Sequence, residues 1–576
     1  MRLLLTVWLL LASACVPVAI DRTPEAATGL ETRPAARASR FMIASANPHA
    51  SRAGMSMLER GGSAVDAAIA AAMVLNLVEP QSSGIGGGGF LLAWDNRSKR
   101  ARSYDGRETA PRQADSDLFI ERGRPMAFRK AVAGGRSVGV PGLLRMLELA
   151  HRRHGRLPWA ELFQPAIRLA EEGFQVSPRL ARLIERNRDK LARDREARRY
   201  FLPGGRPPTV GQRLRNPQLA EVLRRVARGG SDVLYRGRLA ETIVRKVRGD
   251  ANPGRLSRAD MAGYRAVERE PVCGPFDRYR VCGMGPPSSG GVTSLQMLGL
   301  LERLGIQRVR PDSPRAIHLF AQAGRLAFAD RARYLADADF VPVPVAGLLA
   351  ARYLDRRARL VDPRRDRGRA EAGTPPGIQQ ARFQDGFDPE QPGTTHLSVV
   401  DAEGNAVALT ASIEQAFGSG LMVAGFLLNN ELTDFSFRWR DDAGALIANR
   451  VQGGKRPRSS MAPTLVFDNR GRLALVAGSP GGSRIIPYVV QTLVAYLSWG
   501  RDLQDAVSAP HYAHTNGRSL DLEAGTRLES LAEEMTRRGY HVRVRDLNSG
   551  LHAIAVTPAG LVGAADPRRE GVALGR

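Results

Sequence analysis

A chain of 576 residues, 43% hydrophobic and 25% charged, is long enough to bury a large core and is composed like a globular protein, not a disordered one. Its formal charge of +26 and pI near 11.0 raise nucleic acid or an anionic membrane as a partner. Nucleic acid is set aside: only five residues are lysine, the arginines are spread along the chain and not gathered in one tract, and aromatic residues for base stacking amount to 6%.

The first residues read as an export signal. Arg2 precedes the apolar run Leu3–Ala12, and Ser13 and Ala14 lead to Cys15. A positive residue, a short apolar stretch and a small-residue cleavage site, too short to cross a bilayer, predict a signal peptide over residues 1–14 and a periplasmic destination. Ala12 to Cys15 is similar to a lipobox, although leucine usually stands where Ala12 does. Cys15 is therefore a candidate lipid anchor, with cleavage beyond it as the alternative. Residues 15–40 lack hydrophobic periodicity and read as a tether, so the fold is expected to begin near Phe41.

Asn47-Pro48 marks a helix start and Gly61-Gly62 its end. Ala64–Leu77, rich in alanine and poor in charge, predicts a buried helix. Residues 140–250 carry amphipathic helical patterns such as Leu143, Leu144, Leu147 and Leu149. Residues 271–283 suit two short strands around a turn, with Cys273 and Cys282 either joined in a disulfide or left as two buried thiols. A helix is expected over Ser294–Leu304. From about 362 to 393 the chain is rich in Arg, Pro, Gly and Asp, which predicts an exposed, loosely ordered segment. It stops at the β-rich run Thr395–Asp401; a turn at Ala402–Asn405 leads to a second strand, Ala406–Ile413. Strands at Thr464–Asp468 and Leu473–Ala477 and a helix at Ile485–Trp499, closed by Gly500, complete an α+β layered architecture.

The joint between Gly393 and Thr394 carries the chemistry. Cleavage there would give Thr394 a free α-amine beside its own hydroxyl. An α-amine titrates at about 7.7–8.0, so it can serve as general base for that hydroxyl without a histidine. On its own, Gly-Thr-Thr is an ordinary strand start. Its surroundings are not ordinary: Thr394–Asp401 (TTHLSVVD), Gly404–Val407 (GNAV), Phe417–Gly420 (FGSG), Leu427–Asn430 (LLNN), Lys455–Met461 (KRPRSSM) and Gly478–Ser483 (GSPGGS) follow in order. Upstream stand Asn47–Ala50 (NPHA), Gly61–Ala68 (GGSAVDAA), Glu79–Phe90 (EPQSSGIGGGGF), Arg107-Glu108, Val140–Gly142 (VPG) and Pro286–Gly291 (PPSSGG).

Together these motifs, over roughly residues 41–570, closely resemble the γ-glutamyltransferases (glutathione hydrolases). The resemblance implies an N-terminal-nucleophile αββα sandwich matured by self-cleavage into a large subunit, 41–393, and a small subunit, 394–576, that remain together as a heterodimer. It implies that Thr394 attacks the γ-glutamyl amide of a small molecule such as glutathione, and that water or an amine resolves the acyl-enzyme. Ser412 stands where the family holds the nucleophile's amine, and Gly481 and Gly482 match the turn that faces the oxyanion. Arg107, with Ser459 and Ser460, corresponds to the grip on the substrate α-carboxylate. Glu414, Glu431 and Asp434 correspond to the α-ammonium site; Glu414 replaces an Asn found in many members. Phe437–Ile447 is shorter than the lid of some members and has no tyrosine.

No cofactor or metal is expected: the Gly84–Gly89 run lacks the lysine of a phosphate loop, and His511 and His514 have no further ligand pattern. The alternatives are a glutaryl (cephalosporin-type) acylase, whose substrate lacks the α-ammonium, a poly-γ-glutamate transpeptidase, and a non-enzymatic polyanion binder.

Overall fold

The structure, a computed structural model, describes residues 29–30, 33–378 and 393–576. The expected signal peptide, Cys15 and positions 379–392 of the arginine- and proline-rich segment lie outside these residues.

Two seven-stranded antiparallel sheets are stacked on each other. The first runs, edge to edge, Ala36–Ala38, Gly560–Ala565, His552–Thr557, Leu473–Gly478, Thr464–Phe467, Tyr279–Gly283 and Val272–Phe276. The second runs Val572–Gly575, Met42–Ser45, Thr394–Val400, Ala406–Ser412, Gly88–Asp95, Arg100–Asp105 and Val267–Arg269. Strand periodicity sorts the apolar residues between layers. Met42, Ala44, Leu92 and Trp94 of the second sheet meet Leu465, Phe467, Val476 and Ile554 of the first, with Trp94 and Phe467 ring centroids 4.7 Å apart. The intervening residues Ile43, Leu91 and Ala93 point the other way, into a helical layer. Both faces of these strands are covered, which is why the sequence reads as near-continuous apolar runs.

Helices Pro48–Glu59, Ala64–Val78, Leu143–His154, Gln164–Glu172 and Pro217–Gly229 form the layer on the second sheet. Helices Gly290–Arg303, Pro314–Tyr334 and Ile485–Leu493 cover the first. The result is four layers, αββα. The Asn47 side chain accepts from the His49 N–H to start its helix, and Ser63 and Asp66 cap Ala64–Val78 reciprocally. All fifteen residues of that alanine-rich helix are buried. At Gly54 a Cβ would lie 2.3 Å from Ile43 Cδ1 and 3.0 Å from the Ala67 carbonyl oxygen, so glycine is what lets the first two helices and the sheet close together.

Two expectations need correction. The tether read over 15–40 ends too late, because Ala36–Ala38 pairs with Leu561–Gly563 as an edge strand. Main-chain bonding suffices there, so the segment shows no apolar alternation. The described part of the 362–393 segment is irregular but not loose. Asp366 pairs with Arg325 and accepts from Gln322 at 3.0 Å, and Gly373 and Glu371 carbonyls accept from Tyr334 and Arg357. Polar pairing, not apolar burial, holds it down, and composition does not reveal that. Cys273 and Cys282 stand directly opposite on adjacent strands and form a disulfide. No described helix is long and apolar enough to cross a membrane.

Candidate active site

Thr394 opens the Thr394–Val400 strand near the middle of its sheet, 4% exposed, with Ser412 as its cross-strand partner. The two hydroxyls are 3.5 Å apart, with Thr394 donating. Ser412 Oγ in turn donates to the Gly393 carbonyl oxygen at 2.7 Å and accepts from the Glu414 N–H at 2.7 Å. The serine therefore contacts both the hydroxyl that would attack and the carbonyl that would be attacked. Glu414 has φ of +75°, rare for a residue with a side chain, and the strained turn places its carboxylate over the strand end, where Asn430 Nδ2 donates to it at 2.5 Å.

Arg569, 2% exposed, donates from Nη1 to the Thr394 carbonyl at 2.9 Å and from Nε to the Ser549 carbonyl at 2.7 Å. Its guanidinium thus ties the Thr394–Val400 strand to the last residues of the chain. On the other wall, strand Leu473–Gly478 turns through Gly481 and Gly482, with φ of +141° and +58°, into the helical stretch that begins at Gly482. A Cβ on Gly481 would lie 2.8 Å from the Tyr488 ring. The first N–H groups of a helix have no partner within it and carry the positive end of its dipole, which suits this turn to a developing oxyanion.

Arg107, Thr394, Ser412, Glu414, Glu431, Asp434, Ser459, Ser460, Met461, Gly482 and Ile485 line one cleft of about 250 Å³. Residues separated by more than 350 positions in sequence thus share one cleft. Gly481 adjoins it, one residue before Gly482. None of residues 437–447 is among these lining residues; Phe437 instead stacks on Phe119 at 4.3 Å.

The charged groups differ from the expected separation into two poles. Arg107 is fully buried; Nη1 pairs with Glu431, and Nη2 donates to Asp434 Oδ2 at 2.5 Å and to the Arg458 carbonyl at 3.0 Å. Nε is held by the Pro457 carbonyl at 3.0 Å. Glu108 lies 3.9 Å from the same guanidinium. Burial, reinforced by the charge of Glu431, holds the Glu108 carboxyl well above the usual range, while burial raises Glu431 against the pull of Arg107. Three carboxyl groups thus crowd one arginine.

Sequence reasoning missed three supports. Glu108 is the first: in the sequence it is only the second residue of the Arg107-Glu108 motif. Arg331, buried in helix Pro314–Tyr334, donates to Ser460 Oγ at 2.6 Å and to Ser289 Oγ at 2.7 Å. Ser289 also donates to the Ser459 carbonyl at 2.6 Å, so the Pro286–Gly291 motif is the strap beneath Ser459-Ser460. Arg569 is the third; nothing in an Arg-Arg pair near a chain end marks it. His511 and His514 do not join: His511 bonds Ser549 Oγ at 2.7 Å, and the described residues contain no cluster of three or more His, Cys, Asp or Glu suited to a metal.

The four-layer sandwich with this strand-end cleft defines an N-terminal-nucleophile hydrolase fold. The family model described as γ-glutamyltranspeptidase matches residues 50–576, and the chain belongs to that family. It is 36% identical over 545 residues to the glutathione hydrolase proenzyme of Bacillus subtilis (strain 168), covering 93% of this chain and 91% of the relative. It is 37% identical over 558 residues to the acylase ACY 1 proenzyme of Pseudomonas sp. (strain SE83), covering 94% of each. Among solved structures, cephalosporin acylase from Bacillus halodurans superposes with a TM-score of 0.83 at 27% identity, covering 96% of this chain and 99% of that one. Helicobacter pylori γ-glutamyltranspeptidase gives 0.54 at 29% identity, covering 61% and 96%.

Proposed function

We propose that this chain is a self-processing γ-glutamyltransferase and glutathione hydrolase whose nucleophile is Thr394. The observation that carries the reading is Ser412 bridging the Thr394 hydroxyl and the Gly393 carbonyl. In maturation, Thr394 Oγ adds to the Gly393 carbonyl carbon, the C–N bond breaks, and the proton lost from oxygen passes to the freed amine. Water then hydrolyses the resulting ester. Gly393 leaves as a carboxylate, and Thr394 keeps both hydroxyl and α-amine. Large (to Gly393) and small (from Thr394) subunits stay joined, because strand Thr394–Val400 is hydrogen-bonded to Met42–Ser45 and buried on both faces.

In turnover the α-amine accepts the hydroxyl proton, Oγ bonds the γ-carbonyl carbon, and the proton is handed to the departing amine. Gly481 and Gly482 face the oxyanion. Arg107, Ser459 and Ser460 take the donor's α-carboxylate, and Glu414, Glu431 and Asp434 its α-ammonium. The test is release of anilide from γ-glutamyl and glutaryl anilides by purified, matured protein. No release from the γ-glutamyl donor would reject the reading.

A glutaryl-type acylase is the second reading, favoured by the 0.83 TM-score to a cephalosporin acylase. The three carboxyl residues lining the cleft weigh against it, since a glutaryl donor has no ammonium to meet them. We also propose export, with lipid on Cys15; a disulfide between Cys273 and Cys282 fits an oxidising compartment. Radioactive fatty acid should label the wild type and miss Cys15→Ser.

A further inference from the structure

Two hydroxyls of the cleft are oriented in one direction. Ser460 Oγ accepts from Arg331 Nη2 at 2.6 Å, and Ser459 Oγ accepts from the Met461 N–H at 3.1 Å. A guanidinium and an amide N–H only donate, so each serine keeps its own proton to give. Neither hydroxyl donates to any of the described residues, and both serines line the cleft. Arg107 differs, because Glu431, Asp434 and the Pro457 and Arg458 carbonyls already occupy its three nitrogens. A carboxylate entering the cleft must displace a partner of Arg107, but it displaces nothing at the two serines.

The orientation is imposed from behind the cleft. Arg331 stands in the last turn of helix Pro314–Tyr334, 1% exposed, with its guanidinium carbon 5.4 Å from the Phe328 ring centroid. Nε donates to Ser289 Oγ at 2.7 Å, and Ser289 Oγ gives its proton to the Ser459 carbonyl at 2.6 Å. The Ser289 N–H donates to that carbonyl at 2.7 Å, and the Ser459 N–H donates to the Pro287 carbonyl at 3.1 Å. One guanidinium therefore holds Ser460 by its hydroxyl and Ser459 by its backbone. Its own helix end is fixed by Arg458 Nη1, which donates to the Arg331 and Leu335 carbonyls at 3.0 and 3.3 Å.

We propose that Arg331 is a positioning residue for donor specificity: it turns the Ser459 and Ser460 hydroxyls into two proton donors for the donor's α-carboxylate, and so selects donors in which that group is free and ionised. This rests on the γ-glutamyl reading above. Arg331 touches no substrate atom and acts through Ser460 and, by way of Ser289, through Ser459. A hydroxyl that accepts from a cation is a stronger donor in its turn, because successive hydrogen bonds polarise one another. Its bond to a carboxylate is charge-assisted, whereas a neutral carboxamide at the same place gains far less.

The experiment measures kcat and KM for γ-glutamyl-p-nitroanilide and for the same anilide with its α-carboxylate converted to a carboxamide, in wild type, Arg331→Gln, Arg331→Lys and Ser460→Ala. Arg331→Gln should lower kcat/KM for the carboxylate donor by at least about tenfold, mainly through KM, and for the carboxamide donor by less than about threefold. Arg331→Lys keeps the cation but has no fork to span Ser289 and Ser460, so its loss on the carboxylate donor should be intermediate. In the Ser460→Ala background, Arg331→Gln should cost the carboxylate donor much less than it does in wild type. Equal losses on the two donors would make Arg331 a merely structural support and overturn the proposal, as would a fall in kcat at unchanged KM. If Arg331→Gln does not mature into two subunits, the ratio between the two donors is read from Arg331→Lys and Ser460→Ala, and a wild-type ratio in both overturns the proposal. A wild type inactive on the γ-glutamyl anilide rejects the γ-glutamyl reading itself, a separate outcome.

Discussion

Arg107 Nη2 lies 2.5 Å from Asp434 Oδ2, with Glu431 on the other terminal nitrogen, so the groups assigned to opposite ends of a donor are one another's counter-ions. A donor with both an α-carboxylate and an α-ammonium can replace this internal pair with two external ones. A glutaryl donor competes only for Arg107 and strands the carboxylates. Loss of one charge-assisted contact costs about 1.5–3 kcal/mol, or roughly ten- to a hundredfold in rate. Wild type should prefer γ-glutamyl to glutaryl anilide by that factor. Asp434→Ala should narrow the preference by damaging the γ-glutamyl reaction, and Arg107→Ala should impair both. Equal wild-type activity on the two donors would defeat this assignment.

Maturation should depend on Ser412 in a graded way. Wild type should give two bands on a denaturing gel with the small subunit starting at Thr394, and Thr394→Ala should give one. Ser412→Ala removes the hydrogen bond to the Gly393 carbonyl and should slow cleavage by about one to two orders of magnitude. Ser412→Thr keeps a hydroxyl and should cleave at a rate near wild type. Equal rates for the Ala and Thr variants would show that Ser412 takes no part.

Arg569 should act on turnover more than on binding. It touches the Thr394 carbonyl but does not line the cleft. Arg569→Gln should therefore lower kcat by about ten- to a hundredfold through misplacement of the nucleophile, with KM nearly unchanged. A rise in KM at constant kcat would place Arg569 in substrate binding instead.

Buried histidines should make the protein sensitive to acid. Burial is the main cause that holds His514 down to about 3 and His552 to about 4, and it also keeps His396 and His511 well below their ordinary value. Above pH 6.5 neither the folded nor the unfolded chain protonates them. Below it the unfolded chain takes up protons that the folded one refuses, so stability falls with pH, by up to about 1.4 kcal/mol per unit for each histidine, until the folded pKa is reached. Glu108 and Glu431, raised by burial, act with the opposite sign. The histidine share is therefore read from a variant. In urea unfolding between pH 7 and 5, the stability difference between His514→Gln and wild type should shift in favour of the variant as pH falls. A difference that does not change with pH would mean that His514 takes up its proton in the fold as readily as in the unfolded chain.

The sequence by itself determined the strand that carries Thr394 and its partner strand, and its resemblance to the family implied the four layers and nearly every residue lining the cleft. The strands rest on local signals, two β-rich runs around the turn at Ala402–Asn405, and the layers and cleft residues rest on long motifs in a set order. Tertiary structure alone decided how the charges are used. Nothing local to Arg107 says that it will meet Glu431 and Asp434, more than 300 positions away, before it meets a substrate. Nor does the chain near its end announce that Arg569 grips the strand that begins at Thr394. Burial removes water from these groups and makes their partners matter, and which partners arrive depends on packing between distant segments that periodicity and composition do not encode.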